Sequence, residues 1–119
     1  MEEFDELLLK VIDETLRQVL GDDNTLIIYN YLEKNSCPVR EIPTKLSLFS
    51  AQLRDLLGVS RGQILGAPAV LEDAIVKALS TELGLKPTKE STIFEERVRS
   101  LKESHNHEQS KLFPNLRSR

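Results

Sequence analysis

At 119 residues and 13.5 kDa the chain is long enough for one domain, and its single cysteine excludes an internal disulfide framework. Hydrophobic residues make up 39% of the chain and aromatic residues 5%, without tryptophan, which predicts a core built from Leu, Ile and Val. The net charge is −3, but residues 1–86 carry 9 basic and 14 acidic side chains whereas residues 87–119 carry 7 and 5, so the body lacks the concentrated basic surface of a nucleic-acid-binding protein.

The first predicted element is a helix over residues 3–20. Apolar residues recur in steps of three and four from Phe4 to Leu20, and acidic side chains precede them at the positive end of the helix dipole. Gly21 follows the last apolar residue and can adopt the left-handed backbone conformation that ends a helix. The acidic start lacks the basic region of a signal peptide, and no apolar run approaches the roughly 20 residues that span a bilayer. We therefore expect a cytoplasmic protein.

A second helix is predicted from Thr25 to about Lys34, capped by the Asp-Asp-Asn sequence of residues 22–24. The run LIIYNYL within it also favours a strand, but the chain offers no second run to pair with it, so a helix is the better interpretation. Two prolines then predict a crossing loop over residues 35–43. Val39 and Ile42 are its expected anchors in the core.

Two further helices are predicted at residues 48–57, capped by Ser47, and at residues 68–83, opened by a proline. Residues 59–66 between them are predicted to be irregular. Gly84 ends the later helix, and the leucine after it is expected to pack back over the terminus. The expected apolar face of this helix comprises Val70, Leu71, Ala74, Ile75, Ala78, Leu79 and Leu83.

The C-terminal segment is polar except for one amphipathic stretch. Thr92 and Glu95 match a capping box at the start of a helix of about 93–104. A helix this short is marginal alone in water, so its narrow apolar stripe must dock on the body, on a second copy or on another protein. The stripe consists of Phe94, Val98 and Leu101.

These patterns predict an all-α fold. We expect a small four-helix bundle of orthogonal or irregular packing over residues 1–86, followed by a polar tail over residues 87–119 that carries the amphipathic helix.

Motifs for catalysis or for metal and cofactor binding are missing from the sequence. It has no phosphate-binding glycine loop and no pair of cysteines for zinc. His105 and His107 are two potential metal ligands without a third, and Cys37 has no neighbouring base that would activate it. The acidic pairs beginning at Asp13, Asp22 and Glu72 are explained by capping or by exposure to water. We therefore expect no enzyme activity, no cofactor and no metal.

Six short phrases follow one another along the chain: VIDETL (11–16), IYNYLEK (28–34), REIP (40–43), FSAQLRDLLG (49–58), VLEDAIVKAL (70–79) and LGL (83–85). Their order and spacing resemble a small archaeal family, the Nitrosopumilus-type output domains. The similarity covers about residues 5–86, and the chain departs from the family pattern at residues 35–40 and 59–65. The resemblance implies a helical domain used in signal output, without an assigned reaction.

The leading hypothesis is a noncatalytic regulatory module that binds a protein partner or a second copy through a helical surface. Tyr29 and Tyr31 lie two residues apart and point in different directions on a helix, which leaves one of them available as an interface anchor. The apolar stripe of the C-terminal helix is the other candidate surface.

Two alternatives come from other classes. A nucleic-acid-binding regulator would use the helices at 48–57 and 68–83 as a helix-turn-helix, although the turn at 59–67 exceeds the usual three or four residues. A small-ligand-binding domain or enzyme would need a pocket lined by Tyr29, Tyr31 and Arg40. The basic residues available for phosphate contacts are Lys89, Arg97, Arg99, Lys102, Lys111, Arg117 and Arg119.

Overall fold

The computed structural model describes residues 3–58, 68–85 and 93–112, with the side chains of residues 3–56, 70–85 and 93–106. No strand occurs among these residues, so the prediction of an all-α fold is confirmed for them and the strand interpretation of LIIYNYL is wrong. The elements are α1 (Glu3–Leu20), α2 (Asp22–Lys34), a 3-10 helix (Val39–Thr44), α3 (Leu46–Gly58), α4 (Pro68–Leu83) and α5 (Phe94–Leu112). The described part contains no helix long and apolar enough to cross a membrane.

Helix α1 lies at the centre of the fold and packs mainly against α4 and α2. Its bounds match the prediction of residues 3–20, and its apolar stripe is buried from Phe4 to Leu16. Val19 continues the stripe in sequence but is about half exposed, because it lies in the last turn, beyond the helices that cover the rest. Because α1 is central and other helices cover one of its sides, its apolar residues recur more regularly than those of the other described helices.

Helix α2 begins three residues earlier than predicted. Gly21 adopts a φ of 90°, its N–H donates to the Arg17 carbonyl at 2.9 Å, and its own carbonyl accepts from the Thr25 N–H at 3.1 Å. A single residue at positive φ therefore ends α1 and starts α2. Residues 22–24 form the first turn and do not cap the helix, because the chain reverses before it reaches them.

The crossing predicted as a loop over residues 35–43 contains a 3-10 helix from Val39 to Thr44. Pro38 precedes it, and Ile42 is fully buried, as expected of an anchor. The crossing continues directly into α3 through Lys45, whose carbonyl accepts from the Phe49 N–H at 2.9 Å. Helix α3 therefore starts at Leu46, and Ser47 lies within its first turn and does not cap it.

Helix α4 has the predicted bounds of residues 68–83, and Leu71, Ile75 and Leu79 of its predicted apolar face are buried. Two side chains at its start differ from the prediction. Val70 is 62% exposed, whereas Glu72 is buried, so the expectations for both side chains are wrong. Gly84 closes the helix at a φ of 71°, with its N–H bonded to the Thr81 carbonyl at 3.1 Å and the Leu85 N–H bonded to the Ser80 carbonyl at 2.9 Å. This pair of hydrogen bonds defines a Schellman motif, and Leu85 packs back on the core as predicted. Residues 59–66, predicted to be irregular, lie outside the described part.

Helix α5 packs on the body along its first half. It contacts α3 and α4, and its stripe of Phe94, Val98 and Leu101 belongs to the same hydrophobic cluster as the apolar residues of α1. The Phe94 and Phe49 rings lie 5.9 Å apart between centroids. The described residues therefore form a core of five α-helices, in which the helix assigned to a tail is a structural member. The capping residue Thr92 lies outside the described part.

Removing the Phe94 ring is expected to destabilise the whole fold. Phe94 is only 1% exposed, so Phe94→Ala leaves a cavity between α5 and α3 that lowers the free energy of unfolding by about 3–5 kcal/mol. Urea denaturation of the full chain measures this loss. Val70→Ala is the matched control, since an exposed apolar side chain contributes less than about 0.5 kcal/mol. Equal midpoints for the two variants would contradict the docking of α5.

Candidate interaction surface

The structure separates the five residues predicted to bind a partner. Phe94, Val98 and Leu101 are almost fully buried against the body, so they contribute to the core and present no surface in this conformation. Tyr29 and Tyr31 are both partly exposed on α2. Of the three docking options stated for the α5 stripe, the structure shows the first, which is docking on the protein's own body.

The Tyr29 side chain joins α2 to α1. Its hydroxyl donates to Asp13 Oδ1 at 2.7 Å, and the same carboxylate accepts from Arg17 Nε at 3.0 Å. Arg17 also bonds Asp22 at 3.1 Å through Nη1, so one guanidinium bridges the two helices. Burial, and then the hydrogen bond to Asp13, raises the pKa of Tyr29 far above its ordinary value of 10.0. Tyr29 therefore orients α2, and its hydroxyl is engaged within the protein.

The outer face of α2 points away from the core and comprises Asp23, Leu26, Ile27, Asn30, Glu33 and Lys34, with the partly exposed Tyr31 at its edge. Leu26 and Ile27 are 50% and 56% exposed, whereas Ile28 and Leu32 on the opposite side are buried. Exposed apolar side chains scattered singly are normal on a protein surface, but two large aliphatic residues and a tyrosine on one helical face form a patch of the kind that marks interaction sites.

Sequence reasoning missed Leu26 and Ile27 as surface residues, although a signal was present. Four aliphatic residues occur within LIIYNYL, and a helix cannot turn all of them to one side because successive residues are 100° apart. Burial of Ile28 and Leu32 requires Ile27 to point outward. The surplus of apolar residues in the run therefore indicates a second, exposed surface on α2.

A buried polar cluster links α3 to α4. Glu72 is 3% exposed, accepts a hydrogen bond from the Ser50 hydroxyl and forms an ion pair with Arg54 Nη2 at 3.2 Å. A cavity of about 320 Å³ lies beside it, lined in part by Ser47, Ser50 and Arg54. Both oxygens of the Glu72 carboxylate are paired with α3 side chains, so the cluster connects the two helices.

The other candidate groups for chemistry also have structural surroundings. Cys37 is fully buried, and burial raises the pKa of its thiol, which disfavours the reactive thiolate. His105 lies on α5 with its ring 6.3 Å from that of Phe4, and the side chain of His107 lies outside the described part. Among the side chains that are described, no three of His, Cys, Asp or Glu come together as metal ligands.

A second cavity, of about 180 Å³, lies between α1, the 3-10 helix, the start of α3 and α5 and is mainly apolar, with Phe4, Leu46 and Val98 in its wall. Neither this cavity nor the one beside Glu72 is lined by Tyr29, Tyr31 or Arg40. These two cavities therefore give no support to the pocket expected for the ligand-binding alternative, because the two tyrosines lie on α2, whereas the cavities lie on other elements.

The basic side chains described on α5 are next to carboxylates. Arg97 Nη2 lies 2.9 Å from Asp73, and this hydrogen bond is the main cause of the lowered pKa of Asp73. Arg99 pairs with Glu95 at 3.1 Å, and Lys102 lies 3.9 Å from Asp5 and over the Phe4 ring. Pairing of this kind reduces the positive potential available to a phosphate backbone. Lys89, Lys111, Arg117 and Arg119 lie outside the described side chains.

Comparison with known proteins identifies no relative: no family model, no curated protein and no solved structure matches the chain.

Loss of the Tyr29 hydroxyl is expected to weaken the junction of α1 and α2. Tyr29→Phe removes a hydrogen bond to a half-exposed carboxylate and should lower the free energy of unfolding by about 1 kcal/mol at neutral pH. Because the folded state retains the Tyr29 proton above pH 10, where the unfolded chain releases it, the contribution of Tyr29 is complete below about pH 10 and declines as the pH rises further.

Denaturation at pH values of about 8, 10 and 11 measures both effects. The wild-type protein should lose more stability over this range than Tyr29→Phe. Tyr31→Phe is the matched control, since no hydrogen bond joins its hydroxyl to another described residue. An identical pH dependence in the wild type and Tyr29→Phe would contradict the assignment.

Proposed function

We propose that the protein is a noncatalytic interaction module of a regulatory, signal-output type, which binds a protein partner or a second copy of itself through the outer face of α2. The observation that carries the proposal is the half-exposure of Leu26 and Ile27 on a helix whose opposite side is fully packed. The resemblance to Nitrosopumilus-type output domains, and with it an archaeal cytoplasmic setting, belongs to the same proposal.

The energetics favour a binding role for this face. Covering the exposed halves of Leu26 and Ile27 is worth about 1 kcal/mol each, and an adjacent tyrosine adds apolar area at low entropic cost. The face is also rigid before binding, because the Tyr29 and Arg17 hydrogen bonds fix α2 to α1. A preorganised surface loses little conformational entropy on association.

The burial of the α5 stripe is a second reason to place the binding surface on α2. With Phe94, Val98 and Leu101 covered by the body, α5 has no apolar side to offer over its described first half. Four other large apolar residues are exposed, but each lies on a different element or at its end, whereas the α2 residues are neighbours on one face. These four are Val19, Leu48, Val70 and Ile93.

Light-activated crosslinking tests the proposal. A photoreactive amino acid replaces Asn30 in one variant and Val70 in a matched control, both at exposed positions, and each is irradiated in cells of the organism that encodes the chain. We expect discrete protein adducts from position 30 that are missing from position 70, identified by mass spectrometry as a partner or as a second copy. The same adducts from both positions, or none from position 30, would count against an interaction surface on α2.

A further inference from the structure

The four central residues of the outer face of α2 form a straight stripe. Asp23, Ile27, Asn30 and Lys34 follow one another at intervals of four, three and four residues, so they lie within an arc of roughly 60°. Leu26 and Tyr31 flank the stripe on opposite sides. The stripe thus has an acidic end, an apolar and amide centre, and a basic end.

The two charged ends form no ion pair with the side chains that the structure describes. Among the residues described, Asp23 and Lys34 take part in no ion pair, whereas the neighbouring Asp22 is paired with Arg17. Both charges suit their positions on the helix, acidic at the N-terminus and basic at the C-terminus. Their separation along the stripe places opposite charges at equal distances from its centre.

We propose that the outer face of α2 binds the same face of a second copy, with the two helices antiparallel about a twofold axis between residues 28 and 29. This inference rests on the proposed function and specifies its partner. In this arrangement Asp23 lies opposite Lys34 of the second copy, and Ile27 lies opposite Asn30 of the second copy. Twofold symmetry forms each contact twice, as in other isologous interfaces.

Charge complementarity selects this occupant and this direction. A parallel pairing would place Asp23 against Asp23 and Lys34 against Lys34, which is repulsive at both ends. The antiparallel pairing is attractive at both ends and covers Ile27 in the middle. The stripe is therefore complementary to itself without any further sequence requirement on a partner.

The expected dimer is weak. Helix α2 has 13 residues and is about 20 Å long, so one helix pair buries less than a standard interface. We expect a dissociation constant of roughly 10 µM to 1 mM, rising with salt because the end charges are exposed. Such a dimer responds to the concentration of the chain and so suits a regulatory module.

A charge exchange tests the inference on the full chain. Asp23→Lys and Lys34→Asp each turn two attractive contacts into repulsive ones and should raise the dissociation constant roughly tenfold or more, measured by sedimentation equilibrium. The double variant D23K/K34D restores opposite charges across the antiparallel interface. Its dissociation constant should return to within about threefold of the wild-type value.

The stability of the monomer provides an internal control, because in the double variant it should fall while dimerisation recovers. Each charge exchange opposes the dipole of α2, so the double variant should be the least stable of the three variants as a monomer while recovering dimerisation. A merely structural effect of the substitutions would weaken both properties together. Ile27→Lys should abolish the dimer, whereas the matched Val70→Lys should leave it unchanged.

Two outcomes overturn the inference. One is a wild-type chain that remains monomeric up to about 1 mM, and the other is a double variant that dimerises no better than either single variant. A monomeric chain whose position 30 still crosslinks to a different protein would leave the proposed function standing and refute only the second copy as its partner.

Discussion

Burial of the narrow apolar stripe of α5 is the constraint on which the rest of the structure depends. A charged helix with three large apolar residues gains little from its own hydrogen bonds, so its position is decided by the surface that covers Phe94, Val98 and Leu101. The body supplies that surface through α3 and α4, with the Phe49 ring against Phe94. Once α5 is docked, its stripe is unavailable to partners, and the largest group of exposed apolar side chains on one described helix face is the one on α2.

The sequence predicts those features of the fold whose signals lie within or next to the helix concerned, such as helix bounds. It does not predict features that depend on tertiary packing. The bounds of α1 and α4 were correct because period, proline and Gly84 are signals within the helix itself. The starts of α2 and α3 were placed late, since Gly21 and Lys45 let each helix begin at once, and cap residues were sought further along. The burial of Glu72 and the exposure of Val70 depend on which helix covers α4, and no single segment carries that information.

The candidate surface was half predictable for a related reason. Tyr29 and Tyr31 were recognised as pointing in different directions, but only the structure shows that Tyr29 is held by Asp13 while Leu26 and Ile27 are turned outward. The α5 stripe was correctly seen as needing a cover, and the choice among body, second copy and partner required the tertiary fold. The hydrogen bonds among Tyr29, Asp13 and Arg17 thus engage the Tyr29 hydroxyl within the protein. The same bonds fix the position of α2, whose outer face is the candidate surface.

The position of Cys37 has a practical consequence. It is the one thiol of the chain, it is fully buried, and its N–H is bonded to the Leu32 carbonyl at the end of α2. A thiol reagent in solution reaches the Cys37 sulfur only when the contacts around the end of α2 open. The rate of alkylation therefore measures how often this region unfolds locally. Cys37 is therefore a natural probe of local opening at the C-terminal end of α2.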